Sequence, residues 1–152
     1  MEVFRIASAK YSKTLTASGK KARWNRDNQF TLYAGQYRSL SSLELVVHQR
    51  ISSVLKYEVM VIHLADRKNL YTKIDLKDLP KNWKETAAYS ILQDTGSNWY
   101  ENHKSLILQV PSVIIPQEYN YIINTMHPDY KKENIRLLKN EEFFWDKRLT
   151  LS

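Results

Sequence analysis

Cysteine is absent from this chain of 152 residues, and glycine is scarce, with only three residues. The lack of cysteine excludes disulfide bonds and is consistent with a reducing compartment. The three glycines, Gly19, Gly35 and Gly96, are too widely spaced to form the glycine-rich loop of a Rossmann fold or a P-loop. Any nucleotide must therefore be held by side chains and by other backbone amides.

Long apolar runs are also missing. The longest, at residues 59–62, is too short to span a membrane. Residues 1–6 lack the apolar stretch of a signal peptide. We therefore expect a soluble, cytoplasmic protein with no membrane partner. The four histidines are far apart and no cysteine accompanies them, so a metal site is not expected.

Basic residues outnumber acidic residues by 23 to 16, which gives a net charge of +7. Such an excess is typical of proteins that bind nucleic acids, anionic ligands or acidic partners. The sequence has no run of five or more basic residues, and its densest groups are residues 20–23 and 131–132. The usual signature of a nucleic-acid tail is therefore missing. Direct nucleic-acid binding is not expected, although a basic RNA- or DNA-binding module without catalysis stays open as an alternative.

The length fits one domain, residues 1–152. A hydrophobic content of 43% is enough for a globular core. Short segments rich in apolar or β-forming residues predict strands at residues 3–6, 30–33, 57–64, 106–110, 119–123, 135–138 and 143–145.

Two helices are predicted between these strands. The first covers residues 39–53, and its apolar face carries Leu40, Leu43, Val47 and Ile51. The second begins near Pro80 and continues through residues 83–93 up to Gly96. Strands that alternate with helices in this way predict a single compact domain of mixed α+β class.

Four polar side chains suggest a site: Arg23, Tyr33, Glu44 and Ser112. A carboxylate such as Glu44 stabilises a developing oxocarbenium ion or binds a ribose hydroxyl. The guanidinium of Arg23 is a fork-shaped donor suited to a diphosphate. Tyr33 offers a ring for a flat heterocycle, and Ser112 offers a hydroxyl. Such a set can hold a phosphorylated nucleoside and break its glycosidic bond.

Each of these residues also has a structural explanation. Residues 41–44 match the capping box S-x-x-E, in which Glu44 would bind a backbone amide. Arg23 could be a surface arginine stacked on an aromatic ring, and Tyr33 a core or edge tyrosine. Ser112 could be a turn residue. No nucleophile elbow surrounds it, so we interpret it as a hydrogen-bond donor and not as a nucleophile.

The order of these motifs resembles the RES domain family over nearly the whole chain. The matching positions are residues 3–6, Arg23-Trp24-Asn25, Tyr33-Ala34, Leu43-Glu44, His48, residues 96–99, residues 108–112, Asn120, Asn124, His127-Pro128 and residues 144–149. One departure is that Lys21-Ala22 replace two glycines that often precede the arginine in this family.

The resemblance implies the toxin of a bacterial toxin–antitoxin pair. Such toxins resemble ADP-ribosyltransferase toxins in fold, with an NAD cleft, and cleave the nicotinamide–ribose bond of NAD. The acceptor of ADP-ribose is water, inorganic phosphate as a co-substrate, or a protein side chain. The implied partner is an Xre-like helix-turn-helix antitoxin whose C-terminal region blocks the cleft. A homodimer and a toxin–antitoxin hetero-oligomer both stay open.

The resemblance also implies residue roles. Arg23 would bind the NAD phosphates or the phosphate acceptor, and Tyr33 would pack against nicotinamide or ribose. Glu44 would stabilise the cationic ribose transition state, and Ser112 would orient the substrate by hydrogen bonding. Further contacts at the pocket rim are expected from Asn25 and Asn124.

Overall fold

A seven-stranded sheet runs through the part of the chain that the computed structural model describes, residues 1–48, 55–146 and 148. Its strands are, in chain order, β1 (Glu2–Ser8), β2 (Thr31–Gly35), β3 (Tyr57–Leu64), β4 (Tyr71–Lys73), β5 (Ile107–Pro111), β6 (Tyr119–Asn124) and β7 (Ile135–Phe143). Within the sheet they lie in the order β4-β5-β6-β2-β1-β3-β7. The β4 and β5 strands are parallel, and the other neighbouring pairs are antiparallel.

Two α-helices accompany the sheet in the described residues, α1 (Arg38–His48) and α2 (Tyr89–Glu101). Single-turn 3₁₀ helices lie at Lys68–Leu70, Leu76–Asp78 and Thr86–Ala88. The predicted fold class, a single compact α+β domain, is confirmed. No helix in the described ranges is long and apolar enough to cross a membrane.

The sheet opens between β1 and β2. The β1 strand pairs with β3 along all seven of its residues, but it pairs with β2 only through Phe4 and Gly35. The β2 strand pairs with β6 over five residues instead. One bridged pair therefore joins the two halves of the sheet, and the strands diverge on either side of it. This opening is where the cleft described below forms.

Both faces of the sheet are covered, so central strands bury side chains on each side. Val3 belongs to a cluster with Leu32, whereas its neighbours Phe4 and Ile6 pack with Leu45 of α1. A further cluster lies against α2: Trp24, Trp83, Ala88, Leu92, Trp99, Leu108, Val110 and Ile122. The helices are thus fixed to opposite halves of the sheet by separate apolar clusters.

Polar contacts also fix α1 to the sheet. Ser41 Oγ donates a hydrogen bond of 2.7 Å to the carbonyl of Phe4 in β1. The Arg38 guanidinium donates two hydrogen bonds of 2.8 Å to the Glu141 carboxylate of β7 and stacks over the Phe4 ring at 4.2 Å. Arg38, helped by Lys139, lowers the pKa of Glu141 to about 2. These contacts fix the first turn of α1 against the sheet.

The first predicted helix is confirmed up to His48, and Ile51 lies outside the described residues. Its buried face differs from the prediction. Leu43 and Val47 are 40% and 60% exposed, whereas Ser41 is buried. The Ser41 hydroxyl donates to backbone carbonyls, so this polar residue can be buried without leaving its hydroxyl unpaired.

The second helix lies further along the chain than predicted. It begins at Tyr89, so Pro80 does not start it. Gly96 lies inside the helix and does not end it. A Cβ atom at Gly96 would lie 1.7 Å from the carbonyl oxygen of Trp24. Glycine is needed here because the helix packs directly against this backbone.

Two strands also differ from the prediction. Residues 135–138 and 143–145 are predicted as separate strands, but Ile135–Phe143 is one continuous strand at the edge of the sheet. The charged residues between the two predicted segments suit an exposed edge, where they oppose pairing with other chains. The three-residue strand β4 was too short to be predicted.

The contact between α2 and Trp24 gives a testable prediction. Replacing Gly96 by Ala should destabilise the protein by about 3 kcal/mol, because a methyl group would overlap backbone that cannot move independently. It should also displace Arg23, which precedes Trp24. Thermal or urea unfolding checks the stability. Ser90→Ala, at an exposed position of the same helix, is the control and should be neutral or slightly stabilising. Equal stability of the two variants would contradict the proposed packing role.

Candidate functional site

The opening between β1 and β2 forms a cleft of about 650 Å³. This volume is within the range of sites that bind small molecules and cofactors. Several segments contribute to its walls, and the described lining residues are Phe4, Arg5, Ile6, Ser18, Lys20, Lys21, Ala22, Arg23, Trp24, Thr31, Tyr33, Ala34, Gly35, Ser41, Glu44, Leu45, His48, Tyr89, Pro111, Val113 and Asn120. Three of the four main predicted residues, Arg23, Tyr33 and Glu44, therefore meet in one place.

Glu44 is the centre of a hydrogen-bond network. Its Oε1 accepts hydrogen bonds from Asn120 Nδ2 at 2.7 Å and from Ser112 Oγ at 3.2 Å. Its Oε2 lies 3.1 Å from Nε2 of His48, one helical turn further along α1. Within the described residues none of these contacts is to a backbone amide, so the capping-box explanation of Glu44 is wrong. The structure places this carboxylate at the cleft wall.

The network keeps the carboxylate charged. Burial by itself would raise the pKa of Glu44, but hydrogen bonds from His48 and Asn120, with a smaller contribution from Ser112, lower it below its usual value. The same contact also changes the pKa of His48. The hydrogen bond with Glu44 raises it, although burial and Arg23 oppose the increase. A fixed negative charge therefore faces the cleft at neutral pH.

Ser112 lies behind Glu44, directly after β5. The side chain is fully buried, and its Oγ accepts hydrogen bonds from the amides of Ile114 at 3.1 Å and Ile115 at 3.3 Å. The single hydroxyl proton is donated to Glu44. In this arrangement Ser112 orients the carboxylate and has no proton left for a ligand. The hydrogen bonds from these two amides also make Ser112 a turn residue, which is its structural explanation in the sequence analysis.

Arg23 lies on the wall of the cleft formed by residues 18–24. Its Nη1 donates to the carbonyl of Trp83 at 3.0 Å, and its Nη2 donates to the Tyr89 hydroxyl at 3.3 Å. The guanidinium also stacks over the Tyr89 ring, with 4.5 Å to the ring centre. The stacking alternative is thus correct, with Tyr89 as the aromatic partner. No carboxylate of the described chain forms a salt bridge with Arg23, so its charge is available to an anionic ligand.

Tyr33 presents its ring to the cleft, while its hydroxyl is used behind the wall. The hydroxyl donates to Asn25 Oδ1 at 2.7 Å and accepts from the amide of Trp24 at 3.3 Å. Burial raises the pKa of Tyr33, so the phenol stays protonated at neutral pH. Tyr33 is therefore fixed in the cleft wall, where it also packs against the apolar cluster beside α2.

The two asparagines predicted at the rim have other places. Asn25 is buried and donates to the carbonyls of Lys20 and Arg26 while it holds Tyr33. Asn124 is buried at the end of β6, where its side chain bonds to the backbone of the helix α2 and of the following turn. This corrects the expectation for both: Asn25 supports the cleft from behind, and the structure does not bring Asn124 to it. The side-chain nitrogens of both asparagines donate to backbone carbonyls.

Sequence reasoning missed several residues of the cleft. Arg5 reads as part of an ordinary strand, yet it lines the opening of the sheet, and burial lowers its pKa. No hydrogen bond or salt bridge joins its side chain to another described residue. Asn120 matched the family only as part of the tail, and Lys20 belongs to a short basic group. Arg5 can be assigned to the cleft only when the pairing of β1 with β2 is known, and the sequence does not show that pairing.

Basic residues outnumber carboxylates in the lining of the cleft. Arg5, Lys20, Lys21 and Arg23 are its strongly basic residues, and Glu44 is the only carboxylate among the described lining residues. A cleft with low-dielectric walls concentrates such a field and attracts anions. This arrangement fits a ligand with a polyanionic part that lies against the cations and a cationic or electron-poor part near Glu44.

Comparisons with known proteins agree with this geometry. The RES domain family model matches residues 2–146. A protein named Toxin Res from Yersinia enterocolitica is 32% identical over 136 residues, with 86% of this chain and 88% of that protein covered. A protein named Prs ADP-ribosylating toxin from a Sphingobium strain is 31% identical over 140 residues, with 89% and 86% covered.

A solved structure has the same fold. A chain in the crystal structure of the M. tuberculosis MbcT–MbcA toxin–antitoxin complex matches with a TM-score of 0.74 and 14% identity, over 93% of this chain and 83% of that one. The fold expected from the resemblance is thus confirmed, and the family model spans nearly the whole sequence. This chain belongs to the RES domain family.

Proposed function

We propose that this protein is the toxin of a toxin–antitoxin pair and cleaves the nicotinamide–ribose bond of NAD, by hydrolysis or by phosphorolysis. The observation that carries the proposal is the charged Glu44 carboxylate in a cleft whose other charged walls are basic. NAD has the matching distribution of charge, with an anionic diphosphate and a positively charged nicotinamide ring.

The reaction needs few groups. Nicotinamide leaves as a neutral molecule, so no acid has to protonate it, and the positive charge passes to the ribose. A carboxylate that is already charged and held in place stabilises this oxocarbenium-like transition state without reorganisation. Glu44 fulfils that requirement. Ser112 and Asn120 act through it as positioning residues.

The opposite wall would bind the rest of NAD. Arg23 presents a guanidinium fixed by stacking on Tyr89 and by hydrogen bonds to the Trp83 carbonyl and the Tyr89 hydroxyl, which suits two-point recognition of a phosphate. Arg5 supplies a second guanidinium with a free donor set. The Tyr33 ring is placed to stack on nicotinamide or to pack against its ribose. Inorganic phosphate, as co-substrate, would use the same cations.

A second candidate is an ADP-ribosyltransferase that modifies a cellular protein. It is favoured by the relative named Prs ADP-ribosylating toxin, which is 31% identical over 140 residues. The cleft and the first chemical step would be the same, and only the acceptor would differ. Transfer of labelled ADP-ribose from NAD to a protein, in a reaction that needs Glu44, would support the transferase over the hydrolase.

The partner that we propose is an antitoxin, of the Xre-like helix-turn-helix type implied by the family resemblance. The similar M. tuberculosis structure is a toxin–antitoxin complex. The alternative of a nucleic-acid-binding module rests on the net charge and on exposed aromatic residues, and four of the basic residues line the cleft. We therefore assign their charge to NAD and to an acidic segment of the antitoxin.

Nicotinamide release from NAD tests the proposal. The purified chain, free of partner, should release nicotinamide, and comparison with and without inorganic phosphate separates phosphorolysis from hydrolysis. Glu44→Gln should lower the rate by about 10²- to 10³-fold, because the amide lacks the charge that stabilises the transition state. The control is Glu133→Gln, at an exposed position outside the cleft. Release at an equal rate by wild type and Glu44→Gln would disprove the role of Glu44.

Arg23→Lys tests the binding wall. Lysine keeps the charge but loses the planar fork and its stacking on Tyr89, so kcat/KM should fall about tenfold, mostly through KM. The matched control is Arg136→Lys, an exposed residue of β7. If kcat/KM is the same for Arg23→Lys and wild type, a point charge is sufficient and the proposed two-point contact is incorrect.

Asn120→Ala tests the positioning network. Loss of this hydrogen bond should raise the pKa of Glu44, because the bond favours the charged form. The most acidic limb of the pH–rate profile, which belongs to Glu44, should then move to higher pH, with kcat reduced and KM little changed. Carboxyl ¹³C NMR measures the pKa of Glu44 directly. An unchanged pKa together with an unchanged profile would show that Asn120 does not support the carboxylate.

A further inference from the structure

His48 lines the cleft beside Glu44 and contacts that carboxylate through one of its two ring nitrogens. We propose that it is the general base that removes the proton from the attacking water when NAD is hydrolysed. This inference rests on the proposed function, and it assigns His48 to one acceptor, water. Contacts of the imidazole, its position in the cleft and the chemistry of the acceptors support it.

The two ring nitrogens of His48 are in different situations. Nε2 faces the Glu44 carboxylate oxygen Oε2 at 3.1 Å, and an acceptor at that distance holds the ring proton on Nε2. In the neutral tautomer Nδ1 is then the nitrogen with a free lone pair. Nδ1 has no hydrogen-bond partner within the described residues. A carboxylate that orients an imidazole whose second nitrogen is free to accept a proton is the arrangement of a general-base dyad.

The place of His48 suits contact with a water molecule. The side chain lines the cleft and is 54% exposed, whereas Glu44 is 21% exposed. Since both residues lie on α1, four positions apart, they present neighbouring groups to the same space. A ribose held by Glu44 would have His48 beside it, on the side that solvent reaches.

The reaction balances without any further reactant. The bond between ribose C1′ and the nicotinamide nitrogen breaks, and its electron pair leaves with nicotinamide. The water oxygen bonds to C1′, one of its protons passes to Nδ1 of His48, and the other stays in the new hydroxyl. The resulting imidazolium is stabilised by Glu44 through Nε2–H, and it then returns the proton to solvent.

The groups around His48 determine when it is neutral. Glu44, on the same helix, favours the imidazolium, whereas Arg23, on the opposite wall, disfavours it. The other charged groups that line the cleft are Arg5, Lys20 and Lys21. The net result is a raised pKa for His48. Because the base acts when neutral, hydrolysis should increase with pH through a value above that of an ordinary histidine.

Phosphate provides an internal comparison. The dianion HPO₄²⁻ attacks C1′ through an oxygen that carries no proton, so no base is needed for that step. Loss of His48 should therefore slow the reaction with water much more than the reaction with phosphate. A structural or substrate-binding role for His48 would instead affect both acceptors to the same extent, because the NAD-binding step is shared.

His48→Gln is the variant that tests this. The glutamine amide can donate to Glu44 in place of Nε2–H, but it cannot accept a proton. Hydrolysis should fall by about 10²-fold, with a much smaller loss of phosphate-dependent nicotinamide release, and the rise of hydrolysis with pH should disappear. Added imidazole should partly restore hydrolysis by His48→Ala. The control His63→Gln, at a position outside the cleft, should behave like wild type.

Three results with the His48→Gln variant would overturn the inference: wild-type hydrolysis, faster hydrolysis because His48 had masked Glu44, or an equal loss with both acceptors. Nicotinamide release by wild type only in the presence of phosphate would also overturn it, while the proposed cleavage of NAD would stand. Absence of release by wild type under both conditions would overturn the proposed function itself.

Discussion

The hydrogen bonds to the Glu44 carboxylate connect α1 with two elements that are distant from it in the chain. Glu44 lies on α1, Ser112 follows β5, and Asn120 lies on β6, so the contacts span 68 and 76 positions of sequence. They tie the helix to the half of the sheet on the far side of the opening. The carboxylate that gives the cleft its negative charge thus also joins the cleft walls, and its geometry depends on the whole fold being formed.

The opening in the sheet and the charges along its walls together suit an ionic ligand. A sheet with one bridged pair between β1 and β2 leaves room for a ligand without a glycine-rich loop. The neighbouring segment, held by the contact between Gly96 and the Trp24 backbone, brings Arg23 to the other wall. The basic side chains and the Glu44 carboxylate are thereby separated across one cleft. The proposed cleavage of NAD would use this division, with the diphosphate at the cations and the positively charged ribose at the carboxylate.

Sequence patterns could predict the elements whose signals are local. The continuous apolar run of β3 predicts its bounds directly, and the ordered motifs include Arg23, Tyr33 and Glu44, which meet in the cleft. The prediction that Gly96 ends the second helix was wrong, because this glycine permits a close contact with the Trp24 backbone inside the helix. The S-x-x-E pattern at Glu44 was ambiguous for the same reason: its true partners, Ser112 and Asn120, are distant in sequence. Arg5 could not be recognised without the strand order.

The binding of NAD in the opening between β1 and β2 is the central claim, and NMR tests it most directly. Glu44→Gln, which is expected to keep the cleft and to slow the proposed turnover, would be titrated with NAD while backbone amide shifts are followed. Saturable changes centred on Arg5, Tyr33 and Gly35 are predicted, since these residues line both sides of the opening. Absence of saturable changes, or changes centred on residues outside the cleft such as His103 and His127, would contradict the account.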